Sequence, residues 1–161
     1  MQSPFTLRIG TDGSVNSSTD GDAPQGIYRL ACAGEIPTVR EALQSACTIA
    51  RVLSERTNAA ELTLDTVERT DDGWIITFYY HVNGIRVYLG EDRDALRIVI
   101  SGDTVTRFDF ICRSYTPLER TSDLLPSDMA VAIASMHRGA ELTLAYVDNG
   151  AETLDARWFA R

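Results

Sequence analysis

The stretch WIITFYYHVNGIRVYL, residues 74–89, constrains the fold more than any other part of the chain. Side chains alternate between the two faces of a strand, so the large apolar residues of one face recur at every second position from Trp74 to Tyr80. Asn83-Gly84 is the type of dipeptide that a tight two-residue hairpin favours. The stretch therefore predicts two antiparallel strands joined by that turn.

Further alternating segments surround this hairpin. Residues 62–65, 95–101 and 104–115 each have the pattern of a strand, and tight turns join most of the five segments. Consecutive strands with short connections predict an antiparallel meander. Near the N-terminus, residues 5–9 and 27–33 predict a hairpin whose tip is the long polar loop between them.

Two segments carry helix signals. Thr38 is suited to cap a first helix, and Glu41 completes a capping box, after which apolar residues recur at helical spacing up to Leu53. A second helix is predicted to start at Ser127 or Asp128 and to end before Gly139. The residues predicted for the inner side of the second helix are Met129, Ala132, Ile133 and Met136.

The five letters AELTL occur twice, at residues 60–64 and 140–144, each time after a predicted helix and before a turn and a further strand. We therefore expect an α+β fold, an antiparallel sheet with two helices packed on one face, built from two helix–strand–strand repeats. Residues 1–161 are predicted to form a single domain. Its parts are an N-terminal hairpin with a long loop (1–35), a first helix-plus-strands unit (36–115) and a shorter second unit (116–161).

The charge of the chain excludes some classes of partner. A formal net charge of −8 disfavours nucleic acid, because phosphate groups repel it, and an anionic membrane surface is disfavoured for the same reason. No apolar run reaches about 18 residues, so we expect no direct membrane insertion by this segment. The start, MQSPFTLRIGTDG, lacks the basic-then-apolar order of a signal peptide.

The three cysteines, Cys32, Cys47 and Cys112, show no C-x-x-C spacing. An odd number gives neither a zinc pattern nor a full disulfide framework. We expect them to be small buried apolar side chains, and a Cys32–Cys112 disulfide stays open as an alternative.

Motifs for catalysis and cofactor binding are missing from the sequence. G-x-S-x-G, the P-loop and G-x-G-x-x-G do not occur, and His81 and His137 stand in no ligand pattern. The acidic clusters at 20–22, 71–72 and 91–94 lack EF-hand spacing and suit turns. We therefore predict no catalytic residue, no cofactor and no metal site, and expect a protein that is not an enzyme.

One predicted surface has an unusual composition. If strand 104–115 continues without a break, Arg107, Arg113 and Tyr115 share a face, and Tyr79 and Arg97 lie on the corresponding faces of their own strands. Arginine and tyrosine are enriched at protein contacts, so these five residues form a candidate protein-binding face on the side away from the helices. The alternative is a solvated face with ordinary cross-strand ion pairs.

The order of these motifs is the basis of a family resemblance. The motifs are the first helix, the stretch WIITFYYHVNGIRV, and the segments VTRFDF, LLPSDMAVAIASM, LTLAYV and ARWFA. Over about residues 38–159 the chain resembles the YycH/YycI-type regulatory proteins of Gram-positive two-component signalling, and it is also similar to PepSY-like domains.

The resemblance implies a non-catalytic α+β portion outside the cytoplasmic membrane, tethered by a membrane helix, that modulates a sensor histidine kinase through protein contact. The sequence shows no tether, so we expect an extracytoplasmic location if the chain is a trimmed fragment and a cytoplasmic one otherwise. The expected partner is a sensor histidine kinase or a paralogous regulator, and a homodimer is compatible with the pattern. The alternative is a PepSY-like inhibitor or small-ligand-binding module, which a deep apolar pocket between sheet and helices would favour.

Overall fold

The computed structural model describes residues 6–9, 14–18, 28–90, 93–115, 126–136, 141–148 and 154–160. These residues form an α+β fold with two helices and one mostly antiparallel sheet, which confirms the α+β class, the antiparallel sheet and the number of helices that were predicted. The helices are α1 (Val39–Thr57) and α2 (Ser127–Ser135). The strands are β1 (Thr6–Ile9), β2 (Ser14–Ser18), β3 (Tyr28–Arg29), β4 (Leu62–Arg69), β5 (Gly73–Val82), β6 (Ile85–Tyr88), β7 (Leu96–Ser101), β8 (Thr104–Ile111), β9 (Leu142–Asp148) and β10 (Leu154–Ala160).

Helix α1 begins and ends where local chemistry places its termini. The Thr38 hydroxyl accepts a hydrogen bond from the Glu41 amide, and the Thr38 amide donates to the Glu41 carboxylate at 2.8 Å, which confirms the predicted capping box. Asn58 ends the helix in the left-handed conformation with φ 53°. The buried side of the helix is built from small residues, Ala42, Ala46 and Ala50, which allow it to lie close to the sheet.

Strand β5 is the centre of the sheet, and its two edges are used differently. β4 pairs along one edge, with Leu62 opposite Tyr80. The other edge is shared, because β7 pairs with residues 73–78 of β5 and β6 pairs with residues 80–82. The sheet therefore forks beside β5. One branch continues through β8 and β2 to β1, and the other continues through β9 to β10.

The pairing order of the strands differs from the predicted meander. The Asn83-Gly84 turn joins β5 to β6 as expected, with φ values of 52° and 77°. However, β7 pairs with β5 and not with β6. Because β6 has only 4 residues and β5 has 10, the hairpin leaves more than half of the β5 edge without backbone partners. β7 satisfies those groups, and β6 pairs in parallel with β9.

The core lies between α1 and the face of the sheet that α1 covers. Alternate residues of β5, namely Ile76, Phe78 and Tyr80, point into it and are almost fully buried. Strands β7 and β8 contribute Ile98 and Phe110 in the same cluster. This face matches the apolar alternation that the sequence predicts.

The N-terminal region differs from the predicted hairpin. Strand β2, Ser14–Ser18, lies inside the stretch expected to be a loop, and β1 pairs with it and not with residues 27–33. Among the described residues of that later stretch, 28–33, only Tyr28–Arg29 forms a strand, which pairs with β8. The sequence pattern did not indicate β2, because its residues are mostly polar and show little of the apolar alternation that marks a strand.

Helix α2 starts at the predicted residue, Ser127, but its buried side is different. Ala130 and Ala134 are buried, whereas Met129, Ile133 and Met136 are exposed. Ala132 is exposed as well. The predicted inner stripe is therefore wrong. This short helix contacts β9, and helical spacing alone does not distinguish which of two neighbouring apolar rows of a helix is buried.

All three cysteines are free thiols, and none is fully buried. The expectation that the cysteines are buried apolar side chains is wrong, most clearly for Cys47, which is exposed on α1. Neither helix of the described chain has the length and apolarity needed to cross a bilayer.

Candidate protein-interaction surface

The structure places three of the five candidate residues on the sheet face opposite α1. Tyr79 lies between the buried Phe78 and Tyr80, so its side chain points to the other face. Arg97 pairs with Thr77, and Arg107 pairs with Val99, which places both arginines on the same face as Tyr79. With Arg86, these residues form what we call the arginine–tyrosine face.

Arg113 and Tyr115 do not belong to this face. Strand β8 ends at Ile111, and the chain then crosses the sheet on the side of the core. Tyr115 packs edge-on against Tyr80, with ring centroids 5.8 Å apart. The expectation that both residues share a face with Arg107 is wrong, because strand alternation applies only as far as the strand extends.

The crossing segment is held by buried polar contacts. The Tyr80 hydroxyl donates to the Ile111 carbonyl at 2.7 Å and accepts from the Arg113 amide at 3.4 Å. The Arg113 carbonyl accepts from the Ala60 amide at 2.7 Å, which ties the segment to the start of β4. Burial raises the pKa of the Tyr80 hydroxyl well above its ordinary value, so it stays protonated and able to donate.

The side chains of Arg113 and Tyr115, in the crossing segment, both contact one carboxylate of β9. Arg113 Nε and the Tyr115 hydroxyl each lie 2.9 Å from Asp148 Oδ2, and the Asp148 side chain is only 5% exposed. Burial and the bond to Asp148 raise the pKa of Tyr115. This buried cluster connects the segment after β8 to the end of β9, which gives Arg113 and Tyr115 a structural role.

Arg86 is the residue of the arginine–tyrosine face that sequence reasoning missed. Its two terminal nitrogens hold both carboxylate oxygens of Asp65 at 2.9 and 2.6 Å, and its guanidinium lies 4.4 Å from the centre of the Tyr79 ring. A bidentate pair over an aromatic ring fixes the arginine in one position. The alternation of β6 could have placed Arg86 on this face, because it follows the turn opposite His81.

A cleft of about 270 Å³ opens where β6 and β7 separate. Its side-chain and backbone lining is Tyr79, Arg86, Val87, Tyr88, Leu89, Gly90, Arg93, Asp94, Ala95 and Arg97. The cleft therefore lies within the arginine–tyrosine face, and two of the predicted site residues, Tyr79 and Arg97, border it. The fork creates it, since two strands that share one edge of β5 must diverge.

Both signs of charge surround the cleft, because Asp65 pairs with the Arg86 that lines it. Three arginines line it against one carboxylate, that of Asp94, although the whole chain has a net charge of −8. Arg97 lies 3.4 Å from Asp94, and burial raises the pKa of that carboxyl while Arg97 opposes the change. Arg86 and Arg97 each already have a carboxylate partner, so a carboxylate of another protein would share these arginines with Asp65 and Asp94.

The rest of the face carries ion pairs between neighbouring residues. Arg107 lies 2.9 Å from Asp109 with its side chain 60% exposed, and Asp109 stands opposite Arg97 across the strands. Tyr88 contacts Phe159, with ring centroids 5.5 Å apart, so aromatic residues extend the face into the second branch. The arginine–tyrosine face therefore agrees in part with the alternative, a solvated face with cross-strand ion pairs. It differs from that alternative because aromatic rings, and an arginine stacked on one of them, lie among the ion pairs.

Within the described ranges, no three His, Cys, Asp or Glu side chains converge as metal ligands would. His81 bonds through Nδ1 to the Thr63 hydroxyl at 2.7 Å and lies 3.7 Å from Glu61 at the end of β4. No family model, curated protein or solved structure matches the chain.

Proposed function

We propose that this protein is a non-catalytic regulatory domain that acts by protein contact, of the YycH/YycI kind, with a sensor histidine kinase or a paralogous regulator as its partner. In this proposal the domain works outside the cytoplasmic membrane. The single observation that carries the contact role is the arginine–tyrosine face with its cleft. Fixed arginines and aromatic rings lose little conformational freedom when they bind, which is why such residues dominate protein interfaces.

The proposed partner surface is acidic. The arginines of the cleft retain donor capacity, because a guanidinium has five N–H groups and Arg97 directs one nitrogen at Asp94 in a long contact of 3.4 Å. A carboxylate of the partner that enters the cleft would join this arrangement without exposing a buried charge. Tyr79 and Tyr88 would supply apolar contact around it.

We further propose that the two helix–strand–strand segments are related copies with both helices on one face. Both copies of AELTL open a strand, β4 or β9, that follows a helix and precedes an antiparallel partner. The pairings Leu62–Tyr80, Tyr80–Val87 and Val87–Tyr146 connect the copies across the sheet. By alternation, the leucines of both copies then point to the face that α1 covers.

Titration with the sensory segment of the source organism's histidine kinase tests the proposal. Arg97→Ala combined with Arg107→Ala should weaken binding at least tenfold, about 1.4 kcal/mol, because two arginines are lost from the contact. The matched control is Arg40→Ala combined with Arg51→Ala, which removes the same charge from exposed positions on α1. Equal affinity of both double variants and the unchanged protein would remove this face as the contact.

One observation favours the alternative, a ligand-binding module. A second cavity of about 510 Å³ lies between α1 and β4 and is lined mostly by apolar surface. A cavity of this size, between a helix and a sheet, is within the range of small-molecule sites.

A further inference from the structure

The second cavity is a groove with a strand as one wall. Helix α1 forms the other wall, and the residues that shape the groove are Cys47, Ala50, Ser54, Leu62, Leu64 and Phe78. Leu64 is 39% exposed although it is apolar, and the Cys47 thiol is exposed beside it. The groove therefore presents apolar surface along the side of β4.

The outer edge of β4 has backbone groups that the sheet does not use. Among the described residues β4 pairs only with β5. The His81 amide donates to the Glu61 carbonyl, and the Phe78 carbonyl accepts from the Ala95 amide on the opposite edge of β5. In an antiparallel ladder this alternation turns the amides and carbonyls of Leu62 and Leu64 away from β5. Two residues thus offer four hydrogen-bonding groups next to the groove.

We propose that this groove binds an extended peptide segment of a partner protein by strand addition to β4. An added strand would satisfy the outward groups of Leu62 and Leu64, and every second side chain of the peptide would enter the groove. A globular small molecule would leave those backbone groups unused. The surface is on the opposite side of the sheet from the arginine–tyrosine face, so the two proposals stand or fall separately.

Charge at the groove indicates the chemistry of the peptide. Arg51 and Glu55 form an ion pair on the helix wall at 3.0 Å and neutralise each other. Glu61, at the end of the groove, has a side chain that is 80% exposed, and its ion-pair partner among the described residues is the His81 ring, at 3.7 Å. The first residue of a peptide that adds to β4 in parallel would stand beside Glu61, and by alternation a lysine or arginine there would point to the same face as Glu61 and complement its carboxylate. The occupant is therefore an extended segment with alternating apolar residues and a basic residue at one end.

The length of the added strand is limited. The pairing of β4 with β5 shifts between Leu64 and Val67, which marks a β-bulge. Bulges twist an edge and interrupt further pairing. The same bulge opposes the pairing of β4 with β4 of a second copy, because a regular two-fold ladder would have to pass through it.

The test uses the peptide acetyl-Lys-Val-Thr-Val-Thr-Val-amide, titrated into the whole chain and followed by amide NMR shifts. Saturable shifts should concentrate at Leu62, Leu64 and Cys47. A peptide with N-methyl groups on its bonding amides should bind at least tenfold more weakly, since it cannot donate to β4. The same peptide with Glu in place of Lys should also bind more weakly, because Glu61 repels it.

A second readout uses the thiol in the groove. Bound peptide should slow maleimide labelling of Cys47 at least threefold and leave the half-buried Cys32 unchanged. Absence of amide shifts, or equal affinity of the N-methylated and unmethylated peptides, would overturn the proposal. Neither measurement requires a substitution in the protein. Concentration-dependent dimers whose amide shifts map to β4 would show that a second copy occupies the edge and would also overturn it.

Discussion

The hydroxyl of Tyr80 is expected to be essential to the fork, and Tyr80→Phe removes it while keeping the ring. The side chain is fully buried, and its oxygen bonds both the Ile111 carbonyl and the Arg113 amide. Without the hydroxyl, two backbone groups of the crossing segment lose their partner in a place that water reaches poorly. The perturbation therefore acts on the segment that bridges the two branches of the sheet.

The magnitude follows from the two bonds. A buried polar group left without a partner costs about 1–3 kcal/mol. The bond to Ile111 is short, at 2.7 Å, whereas the bond from Arg113 is long, at 3.4 Å, so the second adds less. We expect a loss of about 2 kcal/mol in the free energy of unfolding. For a chain of this length that corresponds to a fall in Tm of about 4–8 °C.

Urea denaturation followed by tryptophan fluorescence measures this loss, with Tyr79→Phe as the matched control. Tyr79 is the next residue in β5 but points to the other face, and Phe keeps the ring on which Arg86 lies. We expect the control to change the free energy of unfolding by less than about 0.5 kcal/mol. Equal stabilities of the two variants would refute the bridging role of the Tyr80 hydroxyl.

Three further predictions concern stability. Gly73→Ala should cost roughly 3 kcal/mol in urea denaturation, because a Cβ there would overlap the Ile100 carbonyl; a loss under about 1 kcal/mol would contradict this close approach. Asn83→Val should cost about 1–2 kcal/mol, since φ is 52° at that position, whereas Asn83→Gly should leave Tm nearly unchanged. Hydrogen bonds from Thr38 lower the pKa of Glu41. The stability that the ionised Glu41 contributes is therefore complete above the ordinary carboxyl pKa of about 4 and is lost as the pH falls through the lowered value. Glu41→Gln should flatten this acid dependence of Tm, and a pH profile of Tm that the variant leaves unchanged would contradict the prediction.

The parts of the fold that sequence reasoning predicted correctly depend on local chemistry. The capping box at Thr38 and Glu41 and the turn at Asn83-Gly84 are each set by a few adjacent residues. The buried face of β5 follows from alternation within one strand. These features need no knowledge of which strand lies beside which.

The parts that sequence reasoning missed depend on pairing between distant residues. Whether β7 pairs with β5 or β6 is decided by how much of the β5 edge remains free, which no single segment encodes. At the end of β8, the Ile111 carbonyl accepts a hydrogen bond from the buried hydroxyl of Tyr80, 31 residues earlier in the chain. This end is the reason that Arg113 and Tyr115 belong to the core side and that only three of the five candidate residues remain on the predicted face.

The most direct test of the proposed contact surface is an NMR titration of the arginine Nε–Hε signals with the sensory segment of the histidine kinase. The arginine–tyrosine face predicts that the signals of Arg97, Arg107 and Arg86 shift or broaden on binding. Arg113, whose Nε bonds the buried Asp148, should keep its signal unchanged. Binding that leaves all three surface signals in place would contradict the account.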